Sequence, residues 1–267
     1  MTLIEAIILG IVQGLTEFLP VSSSGHIELG TVLLGIQGDP EDNLLFSVIV
    51  HCATALSTVI IFRKDISAIL IGLFEFRWNE STAYAAKILV SMVPVLFIGL
   101  FFKEQVEVFF GGQVLVVGLM LLLTGTLLAM TYYAKLQSGK VTFGKAIIIG
   151  IAQAIAIMPG ISRSGATIAT ALLVGVEKEQ AARFSFLMVL GPIIGASLLE
   201  LKDYWEAPAA VGHISTLALL LGFLAAFVSG LVACQWMIAI VKRGKLIYFA
   251  IYCFLIGGIA IYTSWAL

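Results

Sequence analysis

Residues 13–26 read Q-G-L-T-E-F-L-P-V-S-S-S-G-H, and 140 positions later residues 153–166 read Q-A-I-A-I-M-P-G-I-S-R-S-G-A. Both stretches set polar groups inside segments that otherwise read as lipid-buried helix. Between them they bring a carboxylate, an imidazole, a guanidinium and a cluster of hydroxyls, and such residues inside a membrane are functional by default. Pro20 and the Ser22-Ser23-Ser24-Gly25 run break the helix, because proline lacks a backbone donor and glycine permits a turn. The arm before Glu17 offers about 13 apolar-rich residues, or ~20 Å at helical rise, and the arm from His26 to Ile36 is shorter. Neither crosses a hydrocarbon core of ~30 Å. Residues 3–36 therefore predict a re-entrant helix-loop-helix pair, and residues 145–176 predict a second one.

The composition around these stretches is that of a polytopic membrane protein. Of 267 residues, 60% are hydrophobic and 12% are charged, with a net charge of −1, so no basic field points to nucleic acid. Cys52, Cys234 and Cys253 lie in apolar runs without metal-ligand spacing and read as core thiols. The N-terminus has no basic region and no small-residue cleavage site after its apolar run, so it is not read as a cleaved signal peptide.

The rest of the chain divides at the offset of 140. The pairs Ala6/Ala146, Ile7/Ile147, Ile8/Ile148, Gly10/Gly150, Ile11/Ile151, Gln13/Gln153, Ser22/Ser162, Ser24/Ser164, Gly25/Gly165 and Gly35/Gly175 are identical. Residues 1–140 and 141–267 are thus expected to be two repeats within one integral membrane domain. The first has spans at about 44–62, 83–102 and 113–134, joined by charged connections at 63–81 and 103–112. The second has spans at about 183–201, 214–241 and 246–266. The fold class expected is all-α, with six transmembrane helices plus two re-entrant pairs. Three crossings per half give the halves opposite orientation, as inverted repeats whose broken helices meet near the midplane.

Loop charges separate this arrangement from one in which the pairs cross. With non-crossing pairs, one side gathers Arg63, Lys64, Arg77, Lys135, Lys140, Lys145, Lys178, Arg183, Lys242, Arg243 and Lys245, and the other has Lys103 and Lys202. With crossing pairs the same residues divide almost evenly. The positive-inside rule expects asymmetry, which places both termini and the acidic 37–43 loop outside the cytoplasm. Lys87, just inside its span, snorkels toward the basic side.

Gln13 and Glu17 stand four apart on one helix face, with Thr16 beside them. A buried carboxylate is protonated, paired or bound to a cation, and its natural partners in this sequence are His26 and Arg163. Ser22, Ser23 and Ser24 precede Gly25 and a new helix start, which offers hydroxyls and free N–H groups at a positive helix end suited to phosphate. Ser162, Arg163, Ser164 and Gly165 make a second such turn, now with a planar cation that fits phosphate oxygens. Gln153 is the repeat's counterpart of Gln13. His51, within the next span, could face the site or another helix and reads most simply as a hydrogen-bonded packing residue, and His213 reads as plain surface.

Chemistry on a phosphate held at these turns needs placement, charge neutralisation and an activated nucleophile. Ser23 is the favoured nucleophile, with His26 as its base or as the acid for the leaving oxygen. Attack by water or by His26 stays open, as do two other classes: a transporter or flippase built on the inverted repeat, and a lipid-binding scaffold.

The strings G-L-T-E-F-L-P-V-S-S-S-G-H and P-G-I-S-R-S-G resemble the BacA/UppP family of undecaprenyl pyrophosphate phosphatases, and the resemblance covers essentially the whole chain. It implies a bacterial inner-membrane enzyme, its site opening to the extracytoplasmic side, that removes one phosphate from undecaprenyl diphosphate. This regenerates the lipid carrier of cell-wall synthesis and brings bacitracin resistance. The resemblance also implies a divalent cation, Mg2+ or Ca2+, a polyprenyl diphosphate substrate among membrane lipids, and no nucleic acid. Self-association as a homodimer is left open. Catalytic roles fall to Glu17, Ser23, His26 and Arg163. Substrate contacts fall to Gln13, Thr16, Ser22, Ser24, Gly25, Gln153, Ser162, Ser164 and Gly165. The family's first motif often has Glu where this chain has Gln13, so the cation is assigned to Glu17 and a metal role for Gln13 is left unassigned.

Overall fold

Thr2 accepts a hydrogen bond from Glu5 N while the Glu5 carboxylate accepts one from Thr2 N, a reciprocal capping box that starts α1 (Leu3–Phe18). The structure is a computed structural model that describes residues 1–36, 40–102, 113–134, 138–206 and 214–266. The 103–112 connection, Lys135, His213 and parts of the 37–43 and 202–213 loops lie outside the described residues.

α1 stops at Phe18 because Pro20 disfavours helical backbone at the residue before it, and Leu19 is extended. Ser22 then caps α2 (Ser23–Leu33), and Gly35 leaves that helix at φ 63°. The local pattern recurs 140 residues on. Thr142 caps its helix (Phe143–Ile155), Ser162 caps the next (Arg163–Leu173), and Gly175 follows at φ 78°, a left-handed geometry that glycine adopts without Cβ strain.

Between and after these pairs run α3 (Pro40–Ile61), α4 (Arg63–Phe74), α5 (Glu80–Phe101) and α6 (Val114–Met130). Counting Phe143–Ile155 as α7 and Arg163–Leu173 as α8, the chain continues through α9 (Lys178–Met188), α10 (Leu190–Glu206), α11 (Thr216–Arg243) and α12 (Ile247–Ala266). Among the described residues there is no strand, only an isolated bridge between Gly139 and Val176. Among the described residues, six stretches are long and apolar enough to cross a membrane: Asn43–Ile61, Glu80–Phe101, Val114–Tyr133, Lys178–Leu198, Thr216–Arg243 and Ile247–Trp265. The chain is therefore an all-α protein with six candidate spans. Two details depart from the sequence reading. The 63–81 connection contains α4, whose charged first turn hid a helix. The fourth span is broken at Val189, where Pro192 offers no N–H to the Met188 carbonyl four residues back.

Helices pack through small residues, as expected where lipid gives no hydrophobic drive for association. A Cβ on Gly10 of α1 would run into the Gly222 carbonyl of α11, and a Cβ on Gly150 of α7 into the Ser91 carbonyl of α5. Each half's first helix is thus seated on a span of the other half. The two serine turns meet the same way, Gly25 facing Gly160 and Gly165 facing Pro20, with a Cβ on either glycine 3.2 Å from its neighbour. Around them a buried cluster gathers Phe18, Val21, Val117, Leu121, Ile168 and Phe186. Near the ends of α4, α9 and α11, Arg183 pairs with Asp65 at 2.9 Å and Lys242 with Glu179 at 3.0 Å.

Candidate active site

Glu17 is the centre of the polar cluster. It occupies the last turn of α1, its side chain is 8% exposed, and four side chains converge on its carboxylate. Arg163, at the first position of α8, brings Nη2 to 2.5 Å from Oε1. Ser23, at the first position of α2, donates its hydroxyl to Oε2 at 2.7 Å. Gln13 Nε2 donates to the same oxygen at 3.0 Å from one turn earlier on α1. His51 Nε2 lies 3.6 Å from it, reaching in from α3. The residue just after the cap of each broken-helix pair, Ser23 in one and Arg163 in the other, therefore lands on one carboxylate.

The capping serines hold these residues in place. Ser22 Oγ accepts from Gly25 N at 3.3 Å and Ser162 Oγ from Gly165 N at 3.0 Å. Ser24 and Ser164 touch their own capping serines at 3.4 and 3.2 Å. Ser164 also donates to the Leu19 carbonyl at 3.2 Å, which ties the second turn to the first. Ser162 N donates to Thr124 Oγ1 of α6 at 3.0 Å. The first backbone N–H groups of a helix have no partner within that helix, so each of the two starts can offer donors to an anion.

Not every candidate joins the cluster. Thr16 is buried, but its hydroxyl donates to the Val12 carbonyl of its own helix. Gln153 is fully buried and neither amide atom has a hydrogen-bond partner, so the repeat's second glutamine has no carboxylate to address. The expected Glu17–His26 pairing does not occur. Nδ1 of His26 lies 2.8 Å from the Ser22 carbonyl and Nε2 lies 2.8 Å from the Tyr252 hydroxyl. A carbonyl only accepts, so Nδ1 donates and the ring is held against Tyr252, on which it stacks. His51 takes the place expected for His26. Of the two placements the sequence allows it, against another helix or facing the site, the structure has the second, and a histidine in a span is the kind of signal that marks a site. Tyr252, one of many aromatics in an apolar helix, carried no such signal.

Among the described residues no group of three or more His, Cys, Asp or Glu side chains could hold a metal ion. The donor set here is one carboxylate together with Gln13 Oε1, which is buried without a partner. That set fits a hard divalent cation completed by phosphate oxygens, the usual habit of Mg2+, and does not make an all-protein cage.

The family model described as bacitracin resistance protein BacA matches residues 6–259. Proteins named undecaprenyl-diphosphatase are similar over nearly their whole length. One from Parabacteroides distasonis is 55% identical over 262 residues, covering 98% of each chain. One from Bacteroides fragilis is 54% identical over 261 residues, covering 97% of each. A more distant one, from Methanobrevibacter smithii, is 38% identical over 275 residues and covers 96% of each. With the motifs, the span count and these matches in agreement, the chain belongs to the BacA family.

Proposed function

We propose that this chain is an integral membrane phosphatase that hydrolyses undecaprenyl diphosphate to undecaprenyl phosphate and inorganic phosphate, recycling the lipid carrier of cell-wall synthesis and so conferring bacitracin resistance. The observation that carries the chemistry is the Ser23 hydroxyl, 2.7 Å from Glu17 Oε2 and donating to it, while Oε1 faces Arg163. Ser23 Oγ attacks the terminal phosphorus and passes its proton to Glu17, the carboxylate to which its hydroxyl already donates. The phosphorus–bridging-oxygen bond breaks and undecaprenyl phosphate departs. Water then cleaves the phosphoserine. Arg163 and the backbone N–H groups of the two helix starts hold the non-bridging oxygens, where charge gathers. His26 is held at both ring nitrogens, Nδ1 by the Ser22 carbonyl and Nε2 by the Tyr252 hydroxyl, and would protonate the leaving oxygen only as an imidazolium whose Nε2 has let go of Tyr252. Gln13 Oε1, together with Glu17 while it is ionised, would hold a divalent cation, whose chemistry there would be to withdraw charge from the diphosphate.

The two halves are read as inverted repeats, each with a re-entrant pair. The exchanged seating of α1 on α11 and α7 on α5 supports this, as does the reciprocal contact of the two turns. The gathering of Arg183 and Lys242 with Asp65 and Glu179 near the ends of three helices supports a cytoplasmic basic side. On that reading the protein lies in a bacterial inner membrane with both termini and the site's mouth extracytoplasmic. In a cysteine-free background, cysteines placed in the 37–43 and 202–213 loops should react with an impermeant thiol reagent on spheroplasts. Labelling only after lysis would reverse the orientation.

The activity itself is tested by phosphate release from a C55 prenyl diphosphate by purified protein in detergent. Release is expected to stop with chelator and return with added Mg2+ or Ca2+. Protein that releases no phosphate under any of these conditions, yet moves a labelled prenyl phosphate across vesicles, would point to the flippase reading.

A further inference from the structure

Neither polar motif contains the fourth side chain on Glu17. His51 belongs to α3, and its Nε2 stands 3.6 Å from Glu17 Oε2, the oxygen to which Ser23 donates. The ring is aimed from behind. Nδ1 lies 2.7 Å from the Ser47 carbonyl one turn earlier on the same helix, and since that oxygen only accepts, Nε2 is the edge turned toward the carboxylate. The other three contacts come from the interrupted helices: Gln13 from α1, Ser23 from α2 and Arg163 from α8. Of the four, only His51 anchors the carboxylate to a helix long enough to cross the membrane.

We infer that His51 is a positioning residue for phosphoryl transfer: it fixes Glu17 Oε2 toward Ser23 and so sets the direction of the nucleophile without touching the diphosphate. The inference rests on the Ser23–Glu17 reading above. The terminal torsion of a glutamate side chain is soft, so the direction of Oε2 depends on what borders it. Gln13 and Ser23 approach that oxygen from the broken-helix pair to which Glu17 itself belongs. His51 borders it from a different element, held by its own hydrogen bond. The ring edge borders Oε2 and limits where it can turn, so an amide donor placed at the position of Nε2 should hold Oε2 in the same direction.

Glutamine and asparagine separate the two edges of the imidazole. A glutamine amide reaches where Nε2 stands, whereas an asparagine amide reaches only where Nδ1 stands and can keep the bond to Ser47. His51→Leu and His51→Asn are expected to lower kcat on the order of 10²-fold, the scale of a small misplacement of a reacting group. KM should stay within a factor of about three, because the phosphate holders are untouched. His51→Gln should retain most of the turnover. Full turnover in His51→Leu overturns the inference. So does a His51→Gln enzyme as slow as His51→Leu, an active His51→Asn, or a loss confined to KM. Ser23→Ala, assayed alongside, keeps the two claims apart. A fast Ser23→Ala enzyme removes the nucleophile reading, whereas a dead Ser23→Ala beside a fast His51→Leu removes only the role of His51.

Discussion

The two serine turns share a sequence offset, a capping geometry and a common target, yet they differ where it matters for chemistry. Ser22 and Ser162 both accept from the glycine three residues on, and both are almost fully buried. The next residue in each turn touches Glu17. In the second half that residue is a permanent cation and the capping serine is relaxed, at φ −72°. In the first it is a hydroxyl, and the capping serine sits at φ 71°, a left-handed conformation that costs a non-glycine residue of order 1–3 kcal/mol. One repeated motif has become two tools, a rigid clamp for oxygen charge and a strained turn that presents a nucleophile. The carboxylate serving both exists once, because the repeat has Ile157 where the first half has Glu17.

The division of labour is broken most directly by alanine at Ser23. Removing the attacking oxygen should lower kcat by about 10³-fold or more, since loss of a nucleophile leaves only the binding and charge terms. Ser22→Ala and Ser162→Ala lose hydrogen bonds within their turns, Ser164→Ala also loses its tie to the Leu19 carbonyl, and all three should keep most of the rate by comparison. Turnover of the four variants at saturating prenyl diphosphate decides it. If Ser23→Ala runs as fast as Ser22→Ala, the first turn is a phosphate holder like the second, and attack passes to water or to His26.

The clamp is tested by Arg163→Lys. Lysine keeps the charge and loses the planar fork, so activity should fall at least ~10-fold, on the order of one charge-assisted hydrogen bond. Normal phosphate release would reduce Arg163 to a counter-ion for Glu17 and remove the second turn from catalysis.

How much of this could be read from residues follows from what makes each one visible. Glu17 and Arg163 stand out because a charge in an apolar run has no inexpensive bland role. Their meeting was legible because one needs the other. The serine turns were legible because proline and glycine break a helix wherever they fall. The choice of histidine was not. His26 is nine residues from Glu17 along the chain and His51 is thirty-four, yet the turn at Ser22 rotates His26 onto Tyr252 while α3 brings His51 back to the carboxylate. That exchange depends on the strained φ of Ser22 and on how α3 seats against α1, neither of which a periodicity encodes. Gln153 shows the converse, a polar match in the repeat that meets no partner.

The smallest effect expected, and the one that bears on the origin of the difference, is the response of the two caps to glycine. At Ser22, glycine removes the left-handed strain of order 1–3 kcal/mol, while giving up a cap hydroxyl worth a few tenths and adding roughly 0.5–1 kcal/mol of unfolded-chain entropy. The balance favours the variant. At Ser162 the backbone already lies at φ −72°, so glycine brings the two losses with no compensating gain. Thermal midpoints in detergent should therefore move in opposite directions, by on the order of 2–4 °C per kcal/mol for a chain of this size. Turnover of Ser22→Gly should fall even as its midpoint rises, because a relaxed turn no longer aims Ser23 at Glu17. A Ser22→Gly protein destabilised as much as Ser162→Gly would mean that the turn stores no strain. A stabilised Ser22→Gly with undiminished turnover would mean that the strain is present but does nothing for the reaction.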